Sequence, residues 1–94
     1  MTYKDEIIRE IRLKSDAFER TYRSLSRELT QLQDIKRKAT ERGDQDQLWN
    51  VCRDIASYKE SIEYYMGLIL GMSEAAIIVS NYKPNLAKKE DKRE

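Results

Sequence analysis

Two long stretches of the chain repeat apolar residues at alternating steps of three and four, and this spacing constrains the fold more than any other feature. The first stretch runs through Ile8, Ile11, Ser15, Phe18, Tyr22, Leu25, Leu29, Leu32, Lys36 and Ala39. The second runs through Leu48, Val51, Ile55, Tyr58, Ile62, Tyr65, Ile69, Met72, Ala76 and Val79. A heptad repeat of this kind places its members on one side of an α-helix. Because no strand-like alternation persists, the sequence predicts an all-α protein.

The segment between the two repeats has the composition of a tight turn. Gly43 suits the left-handed residue that ends a helix, and Asp44 followed by Gln47 matches a capping box at the start of another. A short turn between two helices makes them antiparallel neighbours, so we predict a long helical hairpin. Its predicted parts are a helix over 3–42, a turn at 43–44 and a helix over 45–81.

A single proline marks the end of the second helix. Pro84 disfavours helical geometry at Lys83, so the helix should end near Asn81. The remaining tail, residues 83–94, has almost nothing to bury, and we predict that it is disordered. Ninety-four residues are too few for two independent cores, so the rest of the chain, residues 1–82, forms one domain.

The first repeat contains a second capping-box pattern. Asp16 followed by Glu19 has the required spacing, and the polar Ser15 interrupts the apolar repeat directly before it. The first helix therefore either runs unbroken or breaks near Ser15, which would give a three-helix arrangement.

The stretch from Tyr64 to Val79 contains one charged residue, Glu74, in a chain of which 37% is charged. On a helical wheel it carries apolar or small residues on two sides, so one partner helix cannot cover both. A glycine inside a helix costs about 1 kcal/mol relative to alanine, which indicates that another helix approaches closely there. The predicted interface residues are Tyr64, Gly67, Leu68, Gly71, Ala75, Ile78 and Tyr82.

Three occupants of this surface fit the sequence. The N-terminal part of the chain folds over it, two copies associate as a four-helix bundle, or a different protein docks there. We expect self-association into a homodimer. The sequence leaves open whether the two copies are parallel or antiparallel.

Basic residues form two groups on the first helix, an arginine stripe along one arc and a cluster near its end. The two groups are Arg9, Arg12, Arg20, Arg23 and Arg27, and Lys36, Arg37 and Lys38. Such groups contact phosphates or an acidic partner surface. A solvated helix face with alternating ion pairs is the alternative. The helix dipole also favours cations near a helix C-terminus without any ligand.

Several functional classes lack their characteristic residues. The sequence has no histidine and one cysteine, so an acid–base site, a metal site and an intramolecular disulfide are not expected. No glycine-rich phosphate loop occurs. We therefore predict no catalytic residue, no metal and no cofactor. Cys52 is expected as a buried thiol, Tyr58 and Tyr65 as core residues, and Trp49 as packed near the turn.

The charge balance, 18 basic against 17 acidic side chains, provides no general attraction to nucleic acid or to an anionic membrane. The first ten residues lack the apolar region of a secretory signal, and the apolar stretch is shorter than the roughly 20 residues of a membrane span. We expect a cytoplasmic, non-enzymatic protein-interaction module, a homodimeric regulator or inhibitor that binds a larger protein. A dimeric nucleic-acid-binding protein that uses its arginines is the alternative. Small phage accessory proteins often have this composition, although no motif supports that origin.

Overall fold

The computed structural model describes residues 2–82, which form two long α-helices. α1 spans Tyr3–Arg42 and α2 spans Gln45–Asn81, and they pack side by side as an antiparallel hairpin. The all-α helical hairpin predicted from the heptad repeats is therefore confirmed. The charged tail, residues 83–94, lies outside the described residues, so its predicted disorder stays a prediction.

A reciprocal capping box, which the sequence analysis did not identify, begins α1. The Thr2 hydroxyl accepts a hydrogen bond from the Asp5 backbone N–H at 3.1 Å, and the Asp5 carboxylate accepts one from the Thr2 N–H at 3.3 Å. Asp5 and Glu6 also place negative charge in the first turn, where the helix dipole favours it. The helix therefore has a defined start two residues into the chain.

The connection between the helices is tight and well capped. Gly43 adopts the left-handed conformation with φ of 71°, as the sequence predicts for the residue that ends α1. The Asp44 side chain accepts a hydrogen bond from the Gln47 N–H at 3.1 Å and so caps α2. The predicted capping box is only half formed, because the Asp44 N–H donates to the Ala39 carbonyl and the Gln47 side chain accepts from Arg42.

α1 runs through Ser15 without a break, so the three-helix alternative is wrong. Ser15 is half-buried and lines a groove together with Ile69 and Met72 of α2. A small side chain at this position lets the two helices approach each other while the backbone stays helical. Asp16 is exposed to solvent in the middle of the helix.

The two helices contact each other along the predicted heptad stripes. The rings of Phe18 and Tyr65 pack at a centroid distance of 6.1 Å with an interplanar angle of 56°. At the open end of the hairpin, the Lys4 ammonium donates to the Tyr82 carbonyl at 3.3 Å. The heptad stripes therefore face each other over the length of the hairpin, and Tyr58 and Tyr65 are half-buried rather than fully buried.

The hairpin has almost no closed core. Among residues 2–82, only Ala39, Val51 and Ile55 are buried, and all three lie in the half that ends at the turn. Two helices share one line of contact, so most stripe residues keep one flank in solvent. A small domain already buries a low fraction of its surface, and a two-helix layer buries less. The open half, which contains the apolar part of α2, is the less buried one.

Candidate functional site

The second half of α2 exposes a continuous apolar surface. Between residues 64 and 82, Glu74 is the one charged residue, and the large exposed side chains are Tyr64, Met66, Leu70, Ile77, Ile78 and Tyr82. The exposed fraction is 61% for Leu70 and 68% for Ile78. Scattered apolar residues are normal on protein surfaces, but six large exposed ones within nineteen residues of one helix indicate an interaction site.

One side of this surface is the row predicted from the sequence, which we call the Leu68 face. On α2 it consists of Tyr64, Leu68, Gly71, Ala75, Ile78 and Tyr82. Ile78 and Tyr82 line a groove of about 650 Å³ with Tyr3 and Ile7 of α1, and Ala75 lines a neighbouring groove with the same two residues.

The sequence analysis placed this row on a side of α2 that the first helix does not cover, and that placement is wrong for part of it. Leu68 and Ala75 are half-buried, whereas Tyr64, Gly71 and Ile78 are exposed. The row flanks the stripe, so α1 covers its inner edge and leaves its outer edge open. Gly67, also predicted as an interface residue, is exposed on the outer surface.

The other side of α2 carries apolar residues that the sequence analysis missed, which we call the Leu70 face. It consists of Met66, Leu70, Ser73 and Ile77. Met66 and Leu70 line a groove with Glu19 and Arg23 of α1. The signal was present as the steps of four and seven between these residues. The predicted interface included only the flank that contains the two helical glycines.

Neither helical glycine is required by packing within the hairpin. A Cβ atom built on Gly67 or Gly71 meets no other atom within 4 Å. The prediction that the N-terminal part of the chain folds over this surface is therefore wrong for the described residues, since α1 passes beside it as one straight element. The helix-destabilising effect of these glycines is not offset by any contact inside residues 2–82.

The arginine stripe is exposed on α1. All five arginines, Arg9, Arg12, Arg20, Arg23 and Arg27, lie in solvent. Arg23 approaches Glu19 at 3.8 Å, and the other four form no ion pair with any residue that the structure describes. The five arginines are thus solvated, as in the alternative of a solvated helix face, and one of them forms an ion pair.

The basic cluster near the end of α1 is more strongly neutralised. The Arg37 guanidinium lies 2.6 Å from Asp34 and 3.1 Å from Glu41, and Lys38 lies 3.2 Å from Asp34. The hydrogen bond from Arg37, followed by the one from Lys38, lowers the pKa of Asp34. Lys36 is exposed. Most of this cluster's positive charge is thus matched within one turn of the helix.

Two expectations about single residues near the turn are wrong. Cys52 is exposed instead of buried, and Trp49 is 65% exposed, with the Arg53 guanidinium 5.2 Å from its ring centroid. Both residues flank the heptad stripe, and only the stripe itself meets α1. In a larger helical bundle, a third helix buries residues next to the heptad stripe. In a two-helix layer no helix contacts them.

α2 is long and apolar enough to span a membrane, by length and composition alone. Its most apolar 18-residue window has a mean hydropathy of 1.4, and none of that window is buried in the hairpin. The sequence analysis considered only the 16 residues from Tyr64 to Val79, which are fewer than a span needs, whereas the helix that contains them is long enough. Over residues 2–82, no group of three or more Cys, Asp or Glu side chains could hold a metal ion.

Comparison with protein-family models, with curated proteins and with solved structures finds no match to this chain. Its function is therefore inferred from its own surface: an uncovered apolar segment on α2 and an exposed arginine stripe on α1.

Proposed function

We propose that this chain is a small, non-enzymatic protein-interaction module, a homodimeric regulator or inhibitor that binds a larger protein. The observation that carries the proposal is the uncovered second half of α2, whose apolar residues are exposed while three residues elsewhere form the whole buried core of the described chain. Such a surface is stable in water when another apolar surface covers it.

Helices of a second copy fit this surface best. A hairpin of two long helices is half of a four-helix bundle, in which each helix packs against two neighbours. The exposed apolar residues beside the heptad stripe of α2 supply the second contact line that the single hairpin lacks. Burying a leucine or isoleucine contributes roughly 1.5–3 kcal/mol, so a few such residues from each copy suffice for a stable dimer.

A lipid bilayer is the alternative environment for the apolar half of α2. The charged residues of α1 disfavour it. In the hairpin, the apolar half of α2 packs beside a row of charged residues on α1: Asp5, Arg9, Arg12, Asp16, Glu19 and Arg23. Moving a charged side chain to the centre of a bilayer costs at least about 2.5–3.5 kcal/mol. This cost favours a hairpin in water, and a cytoplasmic location is part of the proposal.

Sedimentation equilibrium over a wide concentration range tests the proposal. We expect a mass twice the 11.2 kDa of one chain at micromolar concentrations. A parallel sample is mixed with phosphatidylcholine–phosphatidylglycerol vesicles and centrifuged, and the protein is expected in the supernatant. A monomer at all concentrations, or a monomer that sediments with the vesicles, would contradict the proposal.

Nucleic-acid binding is the second candidate, and the exposed arginines favour it. Arg9, Arg12, Arg20 and Arg27 present guanidinium groups that no described acidic side chain neutralises. Phosphate contacts release counterions, so binding to duplex DNA would weaken linearly on a log–log plot against salt, with a slope of about −0.9 per contact. Replacing Arg20 and Arg27 with glutamate would then reduce the slope. Replacing the ion-paired Arg37 with glutamine would change it less.

A further inference from the structure

The two sides of the hairpin differ sharply in charge, although both expose apolar residues of α2. On α1, the Leu68 face continues through Tyr3, Glu6, Ile7, Glu10, Lys14, Ala17, Thr21 and Ser24. The Leu70 face continues through Asp5, Arg9, Arg12, Asp16, Glu19 and Arg23. The first row contains three charged residues among eight, and the second row is charged at every position.

This difference determines which side can be covered by a second copy. Covering the Leu70 face would remove six charged side chains of each copy from water, and each such removal costs free energy unless a well-placed opposite charge compensates. Covering the Leu68 face involves three charged residues, Glu6, Glu10 and Lys14, of which Glu10 and Lys14 have opposite charges and lie one turn apart on the same helix. The Leu68 face is therefore the one that a second copy can bury.

The charges at the turn end of the Leu68 face are complementary between the two helices. Ile35 and Arg42 continue the α1 row by heptad steps, and Asp54 continues the α2 row two heptads before Leu68. These residues line one groove together with Asp46. In this groove α1 contributes one cation, Arg42, and α2 contributes the carboxylates of Asp46 and Asp54, so at this end α1 of one copy matches α2 of another. Glu28, one heptad before Ile35, lies outside the groove.

The side-chain sizes on the Leu68 face also match α1 to α2. The contacts of Phe18 with Tyr65 and of Lys4 with Tyr82 set the register of the hairpin, which places Ala17 level with Leu68 and Lys14 level with Gly71. In a second copy with the same orientation, the large Leu68 meets a small alanine. The aliphatic stem of Lys14 crosses a glycine that no residue of its own chain fills.

The opposite orientation of the two hairpins loses these matches. If the turns lay at opposite ends and the hairpins overlapped fully, the apolar half of each α2 would face the polar half of the other, which contains Asp54 and Ser57. If only the apolar halves overlapped about Gly71, Lys14 of one copy would face Lys14 of the other, because these residues are level with the centre of that overlap.

We propose that two copies of this chain pack through their Leu68 faces with both turns at the same end, so that α1 of each copy lies antiparallel to α2 of the other. The assembly is a four-helix bundle with a two-fold axis parallel to the helices. The inference rests on the proposed homodimer and adds its buried face and its orientation. The Leu70 face and the arginine stripe stay on the outside, where a larger protein can reach them.

A matched pair of leucines tests the buried face. Leu68→Glu and Leu70→Glu introduce the same change two residues apart on opposite sides of α2, and sedimentation equilibrium measures the dimer dissociation constant of the full chain. We expect Leu68→Glu to raise this constant at least about 100-fold, because two leucines per dimer lose their burial, and Leu70→Glu to leave it nearly unchanged. Circular dichroism checks that both variants remain helical.

A distance measurement tests the orientation and does not depend on a destabilised variant. A spin label is attached to Gln45→Cys at the turn, in a Cys52→Ser background, and the distance between labels in the dimer is measured by pulsed electron resonance. Turns at the same end predict a distance of about 20–30 Å. Turns at opposite ends predict more than about 50 Å, since each helix is roughly 55–60 Å long.

The outcomes separate the inference from the proposed function. A wild-type chain that is monomeric, with or without binding to vesicles, overturns both. A dimer that Leu70→Glu breaks and Leu68→Glu preserves overturns the inference and leaves the proposed homodimer intact. A label distance above about 50 Å in a dimer that depends on Leu68 overturns the proposed orientation.

Discussion

The Tyr58 hydroxyl of α2 donates a hydrogen bond of 2.6 Å to the Glu28 carboxylate of α1. The contact joins residues 30 positions apart in the sequence, near the middle of both helices. Accepting this hydrogen bond, the carboxylate favours the neutral phenol, and its negative charge and that of Asp54 act in the same direction. The pKa of Tyr58 is therefore raised above its ordinary value.

This relationship predicts a pH-dependent effect of Tyr58→Phe. A folded-state pKa above the unfolded value of about 10 means that the stabilisation is fully present below that pH and is lost as the pH rises through the raised pKa. Tyr58→Phe should therefore melt at a lower temperature than the wild type at pH 8, and the gap should close at strongly alkaline pH. Thermal melting followed by circular dichroism measures both.

Tyr22→Phe is the control for this prediction, because Tyr22 is also a half-buried stripe residue but makes no hydrogen bond among residues 2–82. Its melting temperature should differ from the wild type by the same small amount at every pH. A Tyr58→Phe gap that persists unchanged above the raised pKa would show that the hydroxyl contributes by packing alone.

The ion pairs of Asp34 predict a contribution to stability with the opposite pH dependence. Its pKa is lowered by the hydrogen bond from Arg37 and then by the one from Lys38, so its stabilisation is present above the unfolded value of about 3.9 and is lost as the pH falls through the lowered pKa. Asp34→Asn should melt at a lower temperature than the wild type at pH 7, with a modest difference because the site is exposed. The difference should vanish in strong acid.

Asp16→Asn provides the comparison, since Asp16 lies on the same helix and forms no ion pair within the part of the chain that the structure describes. Equal decreases in melting temperature for Asp34→Asn and Asp16→Asn at pH 7 would mean that the Asp34 ion pairs contribute nothing to stability. High salt should reduce the Asp34 effect, because exposed ion pairs are screened.

The two helical glycines should respond differently to substitution. A Cβ at Gly67 meets open space within the chain, and the residue lies at the outer edge of the Leu68 face. Gly67→Ala should therefore raise the free energy of unfolding by about 1 kcal/mol, the difference in helix propensity between the two residues. Urea unfolding at one fixed protein concentration measures this change.

Gly71→Leu should instead loosen the dimer, because Gly71 belongs to the face that the second copy covers. Sedimentation equilibrium of Gly71→Leu and Gly67→Leu compares a large side chain at the two positions. A dimer that tolerates both substitutions equally would show that no helix approaches Gly71 closely.

The exposed Cys52 predicts a reactive native thiol. We expect a thiol-specific reagent such as dithionitrobenzoate to label the folded chain at a rate comparable to that of the urea-unfolded chain. Moving the cysteine by one residue, with Val51→Cys and Cys52→Ser, transfers it to a buried position and should slow labelling strongly. Slow labelling of the wild type would place Cys52 in an interface.

Much of the fold followed from local patterns. Two heptad repeats separated by Gly43 and Asp44 indicate two helices joined by a tight turn, because a step of three and four matches only the helical period and these two residues cap helix ends at low cost. The capping box at Thr2 was equally local and was missed, as was the apolar flank of Met66, Leu70 and Ile77.

Which side chains are buried does not follow from local sequence patterns, and several expectations about burial were wrong. Whether Cys52, Trp49 or Leu68 is covered depends on how far one neighbouring helix reaches around α2, which periodicity does not specify. Ser15 is a second example: its polarity suggested a break, but α1 continues through it, and the residue is half-buried beside a groove that Ile69 and Met72 of α2 also line.

The sequence by itself determined the helices, their antiparallel pairing and the apolar character of residues 64–82, since these depend on residue type and spacing along one chain. The tertiary structure decided which residues of α2 remain uncovered, and it brought the less charged row of α1 to one side and the fully charged row to the other. That division arises because the hairpin's contact line occupies one stripe of each helix, so its two flanks become separate surfaces of different charge.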